Sequence, residues 1–211
     1  MTDTARPTDL HIDATTGRAQ GPVPGAGAPV YLLPGWLDSD PDHWQSHWER
    51  RFGDVRVEQA DWQWPRRGDW MARLDEVLQQ DARLQTTPAL LVAHSLGCQL
   101  VAAWAEHSRH TGRVAAALLV APPDTERADM PPQLHNWRPI RRSPLPFPSL
   151  VVASSNDPYC SPERAAGMAA DWGAELISVG PLGHMNTATG LGDWPEGRAL
   201  LQRIADNRAP W

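Results

Sequence analysis

Residues 90–97 read Leu90-Leu91-Val92-Ala93-His94-Ser95-Leu96-Gly97, an apolar run that ends in small-x-Ser-x-Gly and passes into a helical pattern. This is the pattern of a nucleophile elbow, in which a tight strand-to-helix turn lifts a serine above a sheet edge. Backbone and helix pass so close there that the residues two before and two after the serine must be small. Here they are Ala93, where glycine is more frequent, and Gly97. A serine entering a helix also lies beside backbone N–H groups with no intrahelical acceptor, the donors a developing oxyanion needs. Taken alone, the motif equally fits a serine that only caps a helix.

A serine hydroxyl is a poor nucleophile until a neutral imidazole takes its proton, and a carboxylate behind the imidazole fixes its tautomer. Both groups follow in the order Ser, Asp, His. Asp157 lies in Ser155-Asn156-Asp157-Pro158, just past the apolar run 149–154, and His184 lies in Gly180-Pro181-Leu182-Gly183-His184-Met185 past the run 175–179. The plainer alternatives are an Asx-turn before Pro158 and a surface-loop histidine. Asp124 is the rival acid. His94 leaves the turn in another direction and reads as packing, and His43, His47, His107 and His110 sit in or beside helical segments. The oxyanion donors are expected from the N–H groups of Leu96 and of Trp36, in Leu33-Pro34-Gly35-Trp36-Leu37, with Leu37 as the alternative to Trp36. Six of the eleven tryptophans fall between residues 36 and 70. Most suit a core; Trp62 and Trp64, in a loop, are candidates for the substrate pocket.

These residues need a scaffold that brings three loops to one edge. Apolar runs at 30–33, 55–58, 89–93, 114–120, 149–154 and 175–179 alternate with amphipathic segments at 43–51, 70–80, 96–107, 162–172 and 195–204. Strands alternating with helical patterns predict parallel strands with crossover helices, a three-layer αβα sandwich on a mostly parallel six-stranded sheet. Asp69 is the expected N-cap of the second helix, Ser161 followed by Pro162 opens the fourth, and Gly173 closes it. Residues 121–148 hold eight prolines and no periodicity, which predicts an irregular loop and not a cap domain; long loops of this kind are often lids. Arg138, Arg141 and Arg142 in it are either receptors for an acidic substrate or solvated. Residues 1–29 are polar, rich in Gly, Pro and Ala, and lack tryptophan, so they read as a disordered tail before a single domain at 30–211.

Composition narrows the chemistry. With a formal net charge of -6 and no long run of like charge, nucleic acid is not an expected partner. All nineteen basic residues are arginine, which removes Schiff-base and Ser-Lys chemistry. Two cysteines, Cys98 and Cys160, with no zinc-ligand spacing, predict neither a disulfide scaffold nor a metal site, and a cytoplasmic setting. No apolar stretch is long enough to span a bilayer, so no membrane role is expected.

Several long motifs in this order resemble the family of small serine hydrolases related to retinoblastoma-binding protein 9. They are PGW with the later HWQSHWE, VAHSLGCQLVAAWA, LLVAPPD, PSLVVASSNDPYCS and GHMNTATGLGDWPEG, and they run from about Tyr31 to Ile204. The resemblance implies a small α/β-hydrolase fold without a cap domain and a triad on Ser95, Asp157 and His184. It leaves the substrate open between esters and amides. The expectation is a serine hydrolase without cofactor or metal, acting on a small-molecule ester or amide through an acyl-enzyme, as a monomer or weak homodimer. The competing expectation is a weakly active or inactive binding protein that keeps the fold.

Overall fold

The computed structural model describes residues 27–206, so the tail expected over residues 1–29 lies outside the described residues except for its last three. Six strands, β1 (Val30–Leu33), β2 (Val55–Arg56), β3 (Ala89–His94), β4 (Val114–Val120), β5 (Ser149–Ala153) and β6 (Glu175–Ser178), form one parallel sheet in the order β2-β1-β3-β4-β5-β6. Five helices flank the sheet among the described residues: α1 (Trp44–Phe52), α2 (Arg67–Gln80), α3 (Leu96–His107) and α4 (Pro162–Trp172) lie between strands, and α5 (Pro195–Asp206) follows β6.

The central strands read as continuous apolar runs because both faces are covered, as parallel sheets require. Alternate residues point to opposite faces. Tyr31, Leu33, Leu91, Leu119 and Val151 pack beneath α2, α3 and α4, while Leu32, Leu90, Val92, Leu118 and Val152 pack beneath α1 and α5. Six tryptophans are almost wholly buried across these layers: Trp44, Trp48, Trp70, Trp104, Trp137 and Trp172. At roughly 150–250 Å² each, and about 25 cal/mol per Å², every one contributes about 4–6 kcal/mol of hydrophobic stabilisation before ordering entropy.

A buried indole N–H needs an acceptor. All six find one, five on backbone carbonyls (Met185, Asp193, Asp61, Pro65 and Arg141) and Trp104 on the Asp75 carboxylate. The tryptophans therefore fill the core and also tie loops to it.

The differences from the sequence expectation have tertiary causes. Helix α2 begins at Arg67, three residues early, and Asp69 lies in its first turn and not at its cap. The Arg67 N–H is instead received by the Asn136 side chain from a distant loop, at 2.8 Å. Strand β2 is shorter than expected because only Val55 and Arg56 pair with β1, although the Val57 N–H still reaches the Leu32 carbonyl. Ser161 caps α4, and Gly173 ends it in the left-handed conformation. Residues 121–148 carry a single 3-10 turn at Pro132–Trp137, pinned where the Trp137 indole donates to the Pro65 carbonyl at 2.8 Å.

A β-carbon at Gly97 would stand 2.2 Å from the Leu33 carbonyl oxygen, on backbone that cannot give way. Gly97→Ala is therefore expected to cost about 2–3 kcal/mol through overpacking, read in thermal unfolding as a fall in Tm of roughly 5–10 °C.

Candidate active site

The C-terminal edge of the sheet gathers the loops that follow β1, β3, β4, β5 and β6. Leu37, Asp38, Ser95, Ala121 and Met185, five of the six non-glycine residues with φ in the left-handed region among the described residues, lie in these loops. Such backbone costs of order 1–3 kcal/mol per residue and gathers at functional sites. Ser95 joins β3 to α3 at φ 53° and ψ -123°, and its N–H is held by the Val120 carbonyl at 2.9 Å. Leu96, the first residue of α3, leaves its N–H without an intrahelical acceptor beside the serine.

Three side chains from three loops meet here. The Ser95 hydroxyl lies 2.8 Å from His184 Nε2, and His184 Nδ1 lies 3.0 and 2.9 Å from the two carboxylate oxygens of Asp157. A carboxylate only accepts, so Nδ1 carries the proton and Nε2 turns its lone pair to the serine. The Asp157 side chain is 3% exposed and that of His184 9%, so water screens this chain of bonds weakly. The Asx-turn weighed against Asp157 is present too: its Oδ1 accepts the Tyr159 N–H at 2.9 Å, which orients the carboxylate.

The rival acid is occupied elsewhere. Asp124 receives a fork of two 2.9 Å bonds from Arg164. His94 is buried and donates from Nε2 to the His184 carbonyl at 2.9 Å, and His43 caps α1 by accepting the Gln45 N–H on Nδ1. Burial pushes the imidazolium of His43 down to about 4 and that of His94 well below its ordinary range, so both rings are neutral. Burial also raises the thiols, that of Cys160 to about 12 and that of Cys98 well above its ordinary value, so neither is a thiolate nucleophile.

Ser95 opens into a cavity of about 610 Å³. Trp36, Leu96, Met130 and Leu134 give it apolar walls, while Asp40, Arg127 and Asp129 line it with charge. Gly35 closes on the serine: a β-carbon there would lie 2.7 Å from Ser95 Cβ. The Leu37 N–H is taken by the Trp62 carbonyl at 3.2 Å, which leaves Trp36 as the better-placed partner of Leu96.

Two expectations need correction. Trp62 and Trp64 do not line this cavity: Trp62 packs edge-on against Trp70, and Trp64 stands on a separate groove of about 1030 Å³ that contains no part of the Ser95 site. The loop that bears them touches the Trp36-Leu37 segment through its backbone, at the Trp62 and Gln63 carbonyls, and is pinned on the other side by the Trp70 indole, which donates to the Asp61 carbonyl. The arginines of the proline-rich loop are likewise engaged. Arg138 donates to the Thr125 and Arg127 carbonyls, Arg141 pairs with Glu106, and Arg142 pairs with Glu126 and Asp171. Met130 and Leu134, which do wall the cavity, were hidden in a stretch without periodicity. Among the described residues no cluster of His, Cys, Asp and Glu could hold a metal ion, and no helix is long and apolar enough to cross a membrane.

A parallel six-stranded sheet covered by helices on both faces, with a serine on the strand-to-helix turn at its C-terminal edge, is an α/β-hydrolase fold. The chain belongs to the serine hydrolase family, whose model matches residues 30–203. It is similar to a protein of Pectobacterium atrosepticum described as a YdeN-like hydrolase, with 34% identity over 87% of this chain and 93% of that one and a TM-score of 0.73. The ydeN product of Bacillus subtilis (21% identity, 85% and 100% covered, TM-score 0.64) and the Bacillus cereus carboxylesterase (15%, 89% and 92%, 0.58) share the fold. No curated protein matches the sequence.

The buried histidines give the site a pH signature. Unfolded, His43 takes up a proton near pH 6.5; folded, it resists until about 4, so stability is full above that window and falls as pH drops through it. His94 acts in the same direction. His43→Asn, which keeps an acceptor for the Gln45 N–H, is expected to reduce the loss of unfolding free energy between pH 6.5 and 4 by about 3 kcal/mol, measured by urea denaturation across that range.

Proposed function

We propose that this protein hydrolyses carboxyl-ester or amide bonds of small molecules, without a cofactor, through an acyl-enzyme on Ser95. The observation that carries the reading is the unbroken chain from the Ser95 hydroxyl through His184 to buried Asp157, opening on an apolar-walled cavity. As the Ser95 oxygen attacks the substrate carbonyl carbon, His184 Nε2 takes the hydroxyl proton, and Asp157 steadies the imidazolium. The carbonyl oxygen becomes an oxyanion and accepts the Leu96 and Trp36 N–H groups. His184 then gives its proton to the leaving oxygen or nitrogen as the carbon–heteroatom bond breaks. Water enters, loses a proton to His184 and attacks the ester on Ser95; collapse of the second intermediate releases the acid, and the proton returns to the serine. Met130 and Leu134 would line the acyl side, which favours an apolar acyl group.

A fluorophosphonate should label the wild-type protein and not Ser95→Ala or His184→Ala, with ester turnover in those variants down by on the order of a millionfold. Asp157→Asn should label slowly and lose on the order of 10⁴-fold in turnover, from the wrong tautomer at His184. A folded wild-type protein that takes no label would overturn the reading in favour of a binding protein.

A further inference from the structure

His184 belongs to a turn rather than to a strand or helix, with left-handed φ at Gly180, Gly183 and Met185. A ring on such a segment stays within 2.8 Å of a hydroxyl only if its backbone is held. On one flank the Asp157 loop holds it: the Leu182 N–H donates to Ser154 Oγ at 2.9 Å and the Gly183 N–H to Asn156 Oδ1 at 2.7 Å. The other flank is held by two aromatic N–H groups from the first layers of the fold. His94 Nε2 reaches the His184 carbonyl at 2.9 Å, and Trp44 Nε1 reaches the next carbonyl, that of Met185, also at 2.9 Å.

We infer that His94 and Trp44 are positioning residues, whose ring N–H groups clamp two consecutive carbonyls and thereby set the His184 imidazole between Ser95 and Asp157. This rests on the proposed role of His184 as the base. An indole N–H only donates and a carbonyl only accepts, so both bonds have fixed sense, and His94 must be the Nε2–H tautomer. The His94 ring is itself wedged, with His43 at 4.7 Å on one side, His184 at 5.0 Å on another and Trp44 edge-on at 6.1 Å. Because His94 precedes Ser95 in the chain, the clamp closes a short loop: the backbone that carries the nucleophile also holds the backbone of the base. Met185 is fully buried, so the second carbonyl has no water to fall back on if the indole donor is lost.

The two nitrogens of His94 can be told apart by substitution. The glutamine amide nitrogen stands as many bonds from Cα as Nε2, and the asparagine amide nitrogen as many as Nδ1. Turnover of a p-nitrophenyl ester is measured per active site, with sites counted by the end point of fluorophosphonate labelling, so that a purely structural loss lowers the count and not the rate. Trp44→Phe and His94→Asn should lower kcat per site about 10- to 100-fold with KM within about twofold, as displacement of a catalytic group does. His94→Gln should recover most of that loss. Wild-type turnover per site in either Trp44→Phe or His94→Asn, or no advantage of glutamine over asparagine, overturns the inference. Nitrogen NMR of the wild-type protein decides it without a variant: a protonated Nε2 on His94 is expected, and a protonated Nδ1 overturns it. Failure of the wild-type protein to label would instead bring down the acyl-enzyme reading, and the His94 tautomer would still decide the clamp.

Discussion

Gly97 presses the start of α3 against the Leu33 carbonyl so closely that no side chain fits between them, and Gly35 closes on Ser95 from the other side in the same way. That close approach is the constraint from which the site follows. It makes β3 end where α3 begins, with no loop between, and so puts Ser95 in left-handed backbone that a relaxed connection would avoid. The same turn leaves the Leu96 N–H unclaimed next to the hydroxyl. A strained serine and a free donor are thus two results of one packing contact between helix and strand.

The rest of the sheet makes this strain tolerable. Strands β1, β3, β4 and β5 are buried on both faces, and their ladder fixes where each C-terminal loop departs. The loops themselves are held by polar groups that burial obliges to pair. Six buried indoles each take an acceptor from a loop or helix. Gln45, wholly buried beneath the sheet edge, donates to the Val92 carbonyl at 3.1 Å and accepts from Ser39 at 2.8 Å. Arg198 sits between the Phe52 and Trp48 rings while pairing with Asp54, so a buried charge is matched both by a carboxylate and by aromatic faces.

Loops that periodicity cannot describe are therefore held by specific hydrogen bonds. Residues 121–148 look structureless in sequence, since prolines break every pattern. They are fixed by contacts far along the chain, Trp137 on Pro65 and Arg142 on Asp171, and within the segment by the Ile140 N–H on Glu126. Out of this segment come Met130 and Leu134, two walls of the Ser95 cavity. The tryptophan cluster at residues 36–70 divides for the same reason. Trp44 and Trp48 face α5, Trp70 faces Trp137, Trp36 reaches the cavity, and Trp62 and Trp64 turn away from it.

The sequence by itself determined the alternation of strands and helices, the elbow at Ser95, and the presence of an acid and a base after the two strands that follow in order. Those features are local: strand patterning, small residues at the elbow and chain order can all be read within a few residues. Chain order already favoured Asp157 over Asp124 as the acid; tertiary structure adds that Asp157 faces His184 while Arg164 engages Asp124 in a fork. It also decided the start of α2, capped from residue 136, and the clamp on His184, formed by residues 90 and 141 positions from their acceptors. Hydrogen bonds at such separations depend on how the layers close over one another, and no local pattern encodes which donor will meet which carbonyl.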